Sequence, residues 1–116
     1  MAEEETTRGV RNPKVVDLIS LDTKRDEVVL SMIEDRHWGE SEEQLDQLEE
    51  KFNNYLDYIL DGWLYSQYPV YQGKRCRIRV QGKELPDEEQ ARFFEIMQRF
   101  CTDNGIGFEL EVEEGH

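Results

Sequence analysis

Arg75-Cys76-Arg77-Ile78-Arg79-Val80 alternates cation with apolar residue, and Phe108-Glu109-Leu110-Glu111-Val112-Glu113 alternates apolar residue with anion. Successive side chains of a β-strand point to opposite faces, so each stretch predicts a strand with one apolar face and one face of a single charge sign. The residues between them read as a helix. The result is a strand–helix–strand unit whose two strands are parallel and adjacent. The arginines then lie beside the glutamates on a water-facing surface, where opposite charges add modest stability and fix the register.

The intervening helix follows the connection Gln81-Gly82-Lys83-Glu84-Leu85. Pro86 suits its first turn, and Asp87, Glu88 and Glu89 sit near the positive end of its dipole. Phe93, Phe94, Met97, Phe100 and Cys101 form the stripe expected to be buried, and Asn104-Gly105 ends the helix. Upstream, Val15 to Leu21 and Val28 to Ile33 are rich in β-branched residues and flank the polar stretch Asp22 to Glu27. That pattern reads as a β-hairpin. Asp26 occupies a turn position where Gly is usual, and Asp tolerates left-handed backbone better than most residues. The hairpin is apolar on both faces, with Val28, Leu30 and Met32 on one and Val29 and Ile33 on the other. Its second face needs a cover, either the aromatic segment 63–71 or a second copy of the chain in a homodimer with Val29 and Ile33 at the contact.

Between hairpin and arginine strand, Ser41-Glu42-Glu43-Gln44 fits a capping box with Ser41 as N-cap. Leu45, Leu48, Phe52, Tyr55, Leu56 and Ile59 follow at helical spacing, about five turns or roughly 30 Å. Gly62 is the natural stop. The opposite helix face carries Glu42, Glu43, Asp46, Glu49, Glu50, Asn53 and Asp57 and is strongly negative. Trp63, Tyr65, Tyr68 and Tyr71 then crowd a connection broken by Pro69 and closed by Gly73. The fold expected is α+β: a four-stranded mixed sheet with two helices on one face, in element order β-β-α-β-α-β. Right-handed crossovers give strand order 1-2-3-4 with strand 1 antiparallel to the rest. Residues 1–12 read as a disordered tail, residues 13–114 as a single domain, and Gly115-His116 as a frayed end.

The chain has 116 residues, with 14 cations against 27 anions for a net charge of −13. Such a chain is repelled by nucleic acid and anionic membranes unless its cations cluster, and the one cluster faces glutamates. Neither nucleic acid nor a membrane is expected as a partner; a basic protein is. No apolar run is long enough to span a membrane, and Met1-Ala2-Glu3-Glu4-Glu5 is no signal peptide. The two cysteines, Cys76 and Cys101, fall on apolar faces and read as buried reduced thiols, consistent with a cytoplasmic protein.

No phosphate-binding loop, dinucleotide fingerprint, nucleophile elbow or C-x-x-C pair occurs, and no cofactor or metal is expected. His37, in Asp35-Arg36-His37-Trp38-Gly39-Glu40, is flanked by carboxylates but has no second ordered histidine or cysteine in reach. It is read as a residue closing the start of the first helix, with Trp38 anchoring that start to the core.

Leu48-Glu49-Glu50-Lys51-Phe52-Asn53-Asn54-Tyr55-Leu56-Asp57-Tyr58-Ile59-Leu60-Asp61-Gly62 resembles the helix of an uncharacterised bacterial family of small proteins, approximately L-Q-E-K-L-N-x-Y-L-x-F-I-x-x-G, followed by an aromatic residue and Pro. Tyr68-Pro69 matches that ending. Val15-Val16-Asp17-Leu18-Ile19, Asp22 and Glu27-Val28-Val29-Leu30 resemble the opening hairpin, with Asp26 replacing the usual Gly. Asp35-Arg36-His37-Trp38 resembles its Asp-His-Leu-x-Trp segment, with the histidine displaced by one position. The resemblance spans about residues 14–112 and implies a small bacterial domain of unknown function; it carries no activity and no site residue. From the residues themselves, the favoured reading is an acidic, non-catalytic protein-binding module of inhibitor, immunity or adaptor type. Its candidate interaction residues are Val29, Ile33, Trp63, Tyr65, Tyr68 and Tyr71. A small-ligand protein or enzyme using segment 63–71 with His37, and a mimic of nucleic acid, remain alternatives.

Overall fold

The computed structural model describes residues 16–112; the tail assigned to residues 1–12, Glu113 and Gly115-His116 lie outside the described residues. Strands β1 (Leu18–Asp22) and β2 (Glu27–Ile33) form the expected hairpin, in register from Leu18 opposite Ser31 to Asp22 opposite Glu27. Asp26 adopts φ 57° in its turn. Asp22 Oδ1 accepts from the N–H groups of Lys24 (3.0 Å) and Arg25 (3.3 Å), so a side chain replaces backbone partners in the bend.

Helix α1 (Gln44–Leu60), helix α2 (Trp63–Gln67), a 3-10 turn (Pro69–Tyr71), strand β3 (Arg75–Gly82), helix α3 (Glu88–Asp103) and strand β4 (Gly107–Val112) follow. The sheet order is β1-β2-β3-β4, with β1 antiparallel to β2 and the other pairs parallel. The architecture is the expected α+β one, with the addition of α2. Segment 63–71 reads from sequence as a bare connection, but Leu64 is fully buried and holds one helical turn in place.

One sheet face carries the core. Val28, Leu30 and Met32 of β2 and Cys76, Ile78 and Val80 of β3 are buried with Leu48, Phe52, Tyr55 and Ile59 of α1 and Phe94, Met97 and Cys101 of α3. Phe93 and Leu110 are half-buried. Phe100 contradicts its expected burial, being 56% exposed. The inward stripe of α3 is Gln90, Phe94, Met97 and Cys101, and Phe100 lies a 100° step away from Cys101.

Two start signals also differ. Ser41 is not the N-cap of α1: Glu43 occupies that place without a side-chain bond, and Gln44 turns back to the preceding loop. Its Oε1 accepts from Gly39 N–H at 2.8 Å and its Nε2 donates to His37 O at 3.1 Å, so it is not free to close a box. The capping box is on α3 instead, between Asp87 and Gln90, which leaves Pro86 just outside the helix.

The other sheet face is organised by charge. Arg77 Nε and Nη2 donate to Glu27 Oε1 at 3.0 and 2.8 Å, Nη2 donates to Asp22 Oδ2 at 2.8 Å, and Nη1 donates to Glu109 Oε1 at 2.6 Å. Arg79 Nε reaches the second oxygen of Glu109 at 2.6 Å, and Gln81 Nε2 reaches Glu111 at 2.8 Å. The cationic and anionic strands are therefore neighbours, as their alternation requires. The surface is less wet than expected, because Arg77 is only 5% exposed among its three carboxylates. Its register partner on β4 is Gly107, where an added Cβ would stand 3.1 Å from Arg77 Cγ. Val29 is 1% exposed, with Ser20 and Arg77 as its register partners. The aliphatic stem of an arginine thus lies beside it where the aromatic segment or a second copy of the chain was expected.

Burial opposes the charge of Arg77, yet its bonds to Asp22, Glu109 and Glu27 outweigh that effect and raise its pKa. Asp22 is held below the ordinary carboxylate range chiefly by its bond from Arg77. Burial pushes Glu109 upward, and the bonds from Arg77 and Arg79 bring it below its usual value.

Two outcomes test this packing. Leu48→Ala should cost roughly 2–5 kcal/mol in urea titration, as for a large aliphatic in a closed core; a cost near zero would mean that the α1 stripe does not carry the core. Carboxylates with depressed folded pKa values stabilise above their unfolded pKa and lose that contribution as pH falls through the folded value. Wild-type stability should therefore drop below about pH 4. In Arg77→Met the same carboxylates face one another without their cation and their pKa values rise. That variant should be less stable than wild type at pH 7 and recover part of the difference between pH 7 and 5; parallel pH profiles would contradict the network.

Candidate interaction surface

The last turns of α1 set up an exposed apolar patch. Asp46, Glu50, Asn53, Asp57 and Leu60 recur at spacings of three and four, so Leu60 stands at the end of the helix's solvent stripe. Gly62 then takes φ 86°, a conformation costly for a side chain, and redirects the chain into α2. Trp63 is 60% exposed, Val70 is 74% exposed, and Leu60 and Tyr68 are also exposed.

This patch rests on a fixed base. Leu64 is buried beneath it, and the Tyr65 hydroxyl donates to Lys74 O at 2.9 Å and lies 3.1 Å from Cys76 Sγ. Burial, with the thiol beside it, pushes the Tyr65 pKa up to about 12. The Tyr58 hydroxyl donates to Gln67 Oε1, which ties α1 to α2. The Tyr68 and Tyr71 rings lie 5.7 Å apart. A cleft of about 340 Å³ lined by Val16, Ile19, Tyr55, Tyr58 and Tyr68 opens beside these rings.

Charge frames the patch asymmetrically. Glu42, Glu43, Asp46, Glu49, Glu50, Asp57 and Asp61 are all exposed, and none has a salt bridge among the described residues. The single cation of α1, Lys51, is fully buried and donates to Asp17 Oδ1 at 2.9 Å. Desolvation lowers its pKa, against the bond it donates to Asp17. Tyr55 completes the buried group: its hydroxyl accepts from Asp17 N–H at 3.0 Å and donates to Ser31 O at 2.7 Å. Asp17 Oδ2 accepts from Ile33 N–H at 2.8 Å, so the group joins α1 to both strands of the hairpin.

The remaining sequence candidates are dispersed. Val29 is buried and Ile33 is half-buried at the far end of β2. His37 Nδ1 lies 2.9 Å from Glu84 Oε1, and Trp38 Nε1 donates to Glu84 O at 2.7 Å. Trp38 packs on Phe94 at 5.4 Å between ring centroids and against Gly82, anchoring the loop before α1 as expected. His37 therefore belongs to the end of β3, whereas Tyr65 belongs to its beginning, about 26 Å apart for eight strand residues. The structure does not bring them into one pocket. A cleft of about 330 Å³ lies where β2, β3 and β4 end, lined by Glu34, Gln81, Lys83 and Glu111 among others. Its buried carboxylate is already engaged: Arg36 Nε and Nη2 donate to the two oxygens of Glu34, each at 2.8 Å.

Cys76 and Cys101 are both buried and unpaired. Burial raises both thiols, Cys101 to about 12, which disfavours a reactive thiolate at neutral pH. Among the described residues no group of three His, Cys, Asp or Glu side chains is arranged to hold a metal, and no helix is long and apolar enough to cross a membrane.

Leu60 and Val70 join the surface without having been expected there from the sequence. For Leu60 the signal was present, an apolar residue on an otherwise acidic stripe. Val70 carried none, because its exposure depends on the 3-10 turn.

No curated protein and no solved structure matches the chain. A family model described as a family of unknown function, DUF6572, matches residues 8–114. That span includes every element described above, and the chain belongs to this family.

Proposed function

We propose that the protein is a small non-catalytic binding module of inhibitor, immunity or adaptor type. It engages another protein through Leu60, Trp63, Tyr68 and Val70. The observation that carries this reading is the exposure of these four side chains on a base pinned by Leu64 and by the Tyr65 hydroxyl. Tryptophan and tyrosine dominate the energetics of protein interfaces, and an anchor held in place before binding loses little entropy on docking. The unpaired buried thiols fit the reducing cytoplasm of a bacterium as the place of action.

The test is affinity capture from lysate of the native cells, comparing wild type with Trp63→Ala/Tyr68→Ala by quantitative mass spectrometry. Both side chains are exposed, so the double variant should keep its circular dichroism spectrum. A protein retained by the wild type should fall at least about tenfold with the variant, as expected for the loss of an interface anchor. Equal retention by the two baits, or no protein enriched by wild type over bare resin, would contradict the proposal.

A further inference from the structure

The C-terminal turn of α1 is built against its own dipole. A helix ends in partial negative charge, which Lys, Arg or His normally offset. Here no basic residue lies in the last turn, and Asp57 and Asp61 stand there exposed, without a salt bridge among the described residues. α3 also ends without a basic residue, on Asp103, but its exposed face carries Arg92 and Arg99, whereas the one cation of α1, Lys51, is buried and its exposed face is left to acids. An acidic helix face with no exposed cation of its own, ending beside an exposed Leu60 and Trp63, marks a surface shaped for something other than the stability of the free chain.

We infer that the partner of this patch is a cationic protein face, rich in Lys or Arg around an apolar recess that takes Trp63. The inference rests on the protein-binding reading above and adds the chemistry of the partner. Lysine or arginine side chains arriving at Asp57 and Asp61 meet two carboxylates and the negative end of α1 together. The acidic stripe running back to Asp46 extends the same field along the helix and steers approach. A second copy of this chain, at −13, carries the wrong sign for that role.

The test uses a synthetic amphipathic helical peptide of Leu and Lys, with a Leu/Glu peptide as control, titrated against the full chain while tryptophan emission is followed. Trp63→Phe assigns the signal, because Trp38 is half-buried and bonded to Glu84. The Leu/Lys peptide should shift Trp63 emission to the blue, and the Leu/Glu peptide should not. Binding should weaken about fivefold or more in Asp57→Asn/Asp61→Asn, and by less than about twofold in Glu89→Gln/Glu95→Gln, which removes the same charge from α3. The first variant should also melt higher than wild type in the absence of peptide, since it relieves the helix end. No response to the Leu/Lys peptide, or equal weakening by the two double variants, would overturn the inference. A native partner captured through Trp63 with affinity unaffected by about 0.3 M salt would overturn it too, while leaving the protein-binding reading intact.

Discussion

One guanidinium touches carboxylates from three other strands. Arg77 on β3 bonds Asp22 on β1, Glu27 on β2 and Glu109 on β4, so each strand of the sheet supplies one member. Arginine suits this place because its donors form a rigid fork and its charge cannot be titrated away. The geometry permits few substitutions. Gly107 lies opposite because the Arg77 stem occupies the space a side chain would need. A one-residue slip of β4 would carry the glutamates toward the core and leave Arg77 short of a partner. The helices bury one face of the sheet by apolar area, while this network closes the other without a second layer.

That closure redistributes the charge of the molecule. With the carboxylates of the sheet face matched by arginines and Lys51 withdrawn into the core, unbalanced negative charge collects along α1. The same helix ends at the exposed apolar patch. The structural need of the sheet and the character of the outer surface are therefore linked through which cations are already engaged.

Much of this was legible in the chain. Alternation at Arg75–Val80 and Phe108–Val112 points to two neighbouring strands, opposite charges together and apolar residues inward, and the helix between them makes the pair parallel. The 3.6-residue rhythm located α1 and α3. What escaped was three-dimensional. Asp22 and Glu27 meet Arg77 only once the hairpin turn has brought them alongside β3, and alternation within one strand says nothing of the next strand but one. Ser41 and Gln44 match a capping box by spacing, yet Gln44 is drawn to His37 and Gly39 by a loop whose path spacing does not encode. Phe100 shows a further limit. An amphipathic stripe names neighbours on a wheel, and a residue one step off its edge is assigned by the width of the groove beneath it. On the candidate surface, the aromatic residues were visible in sequence, whereas their division into the pinned Tyr65 and the free Trp63 depends on how α2 turns at Gly62.

One arginine couples strands on both of its sides, and double-mutant cycles measure this directly. Stabilities of Arg77→Met, Glu27→Gln and Glu109→Gln, and of the two double variants that include Arg77→Met, would be obtained by urea titration at neutral pH. A coupling energy above about 0.5 kcal/mol is expected between Arg77 and each glutamate. Additivity within about 0.3 kcal/mol for both pairs would show that Arg77 does not hold the sheet together.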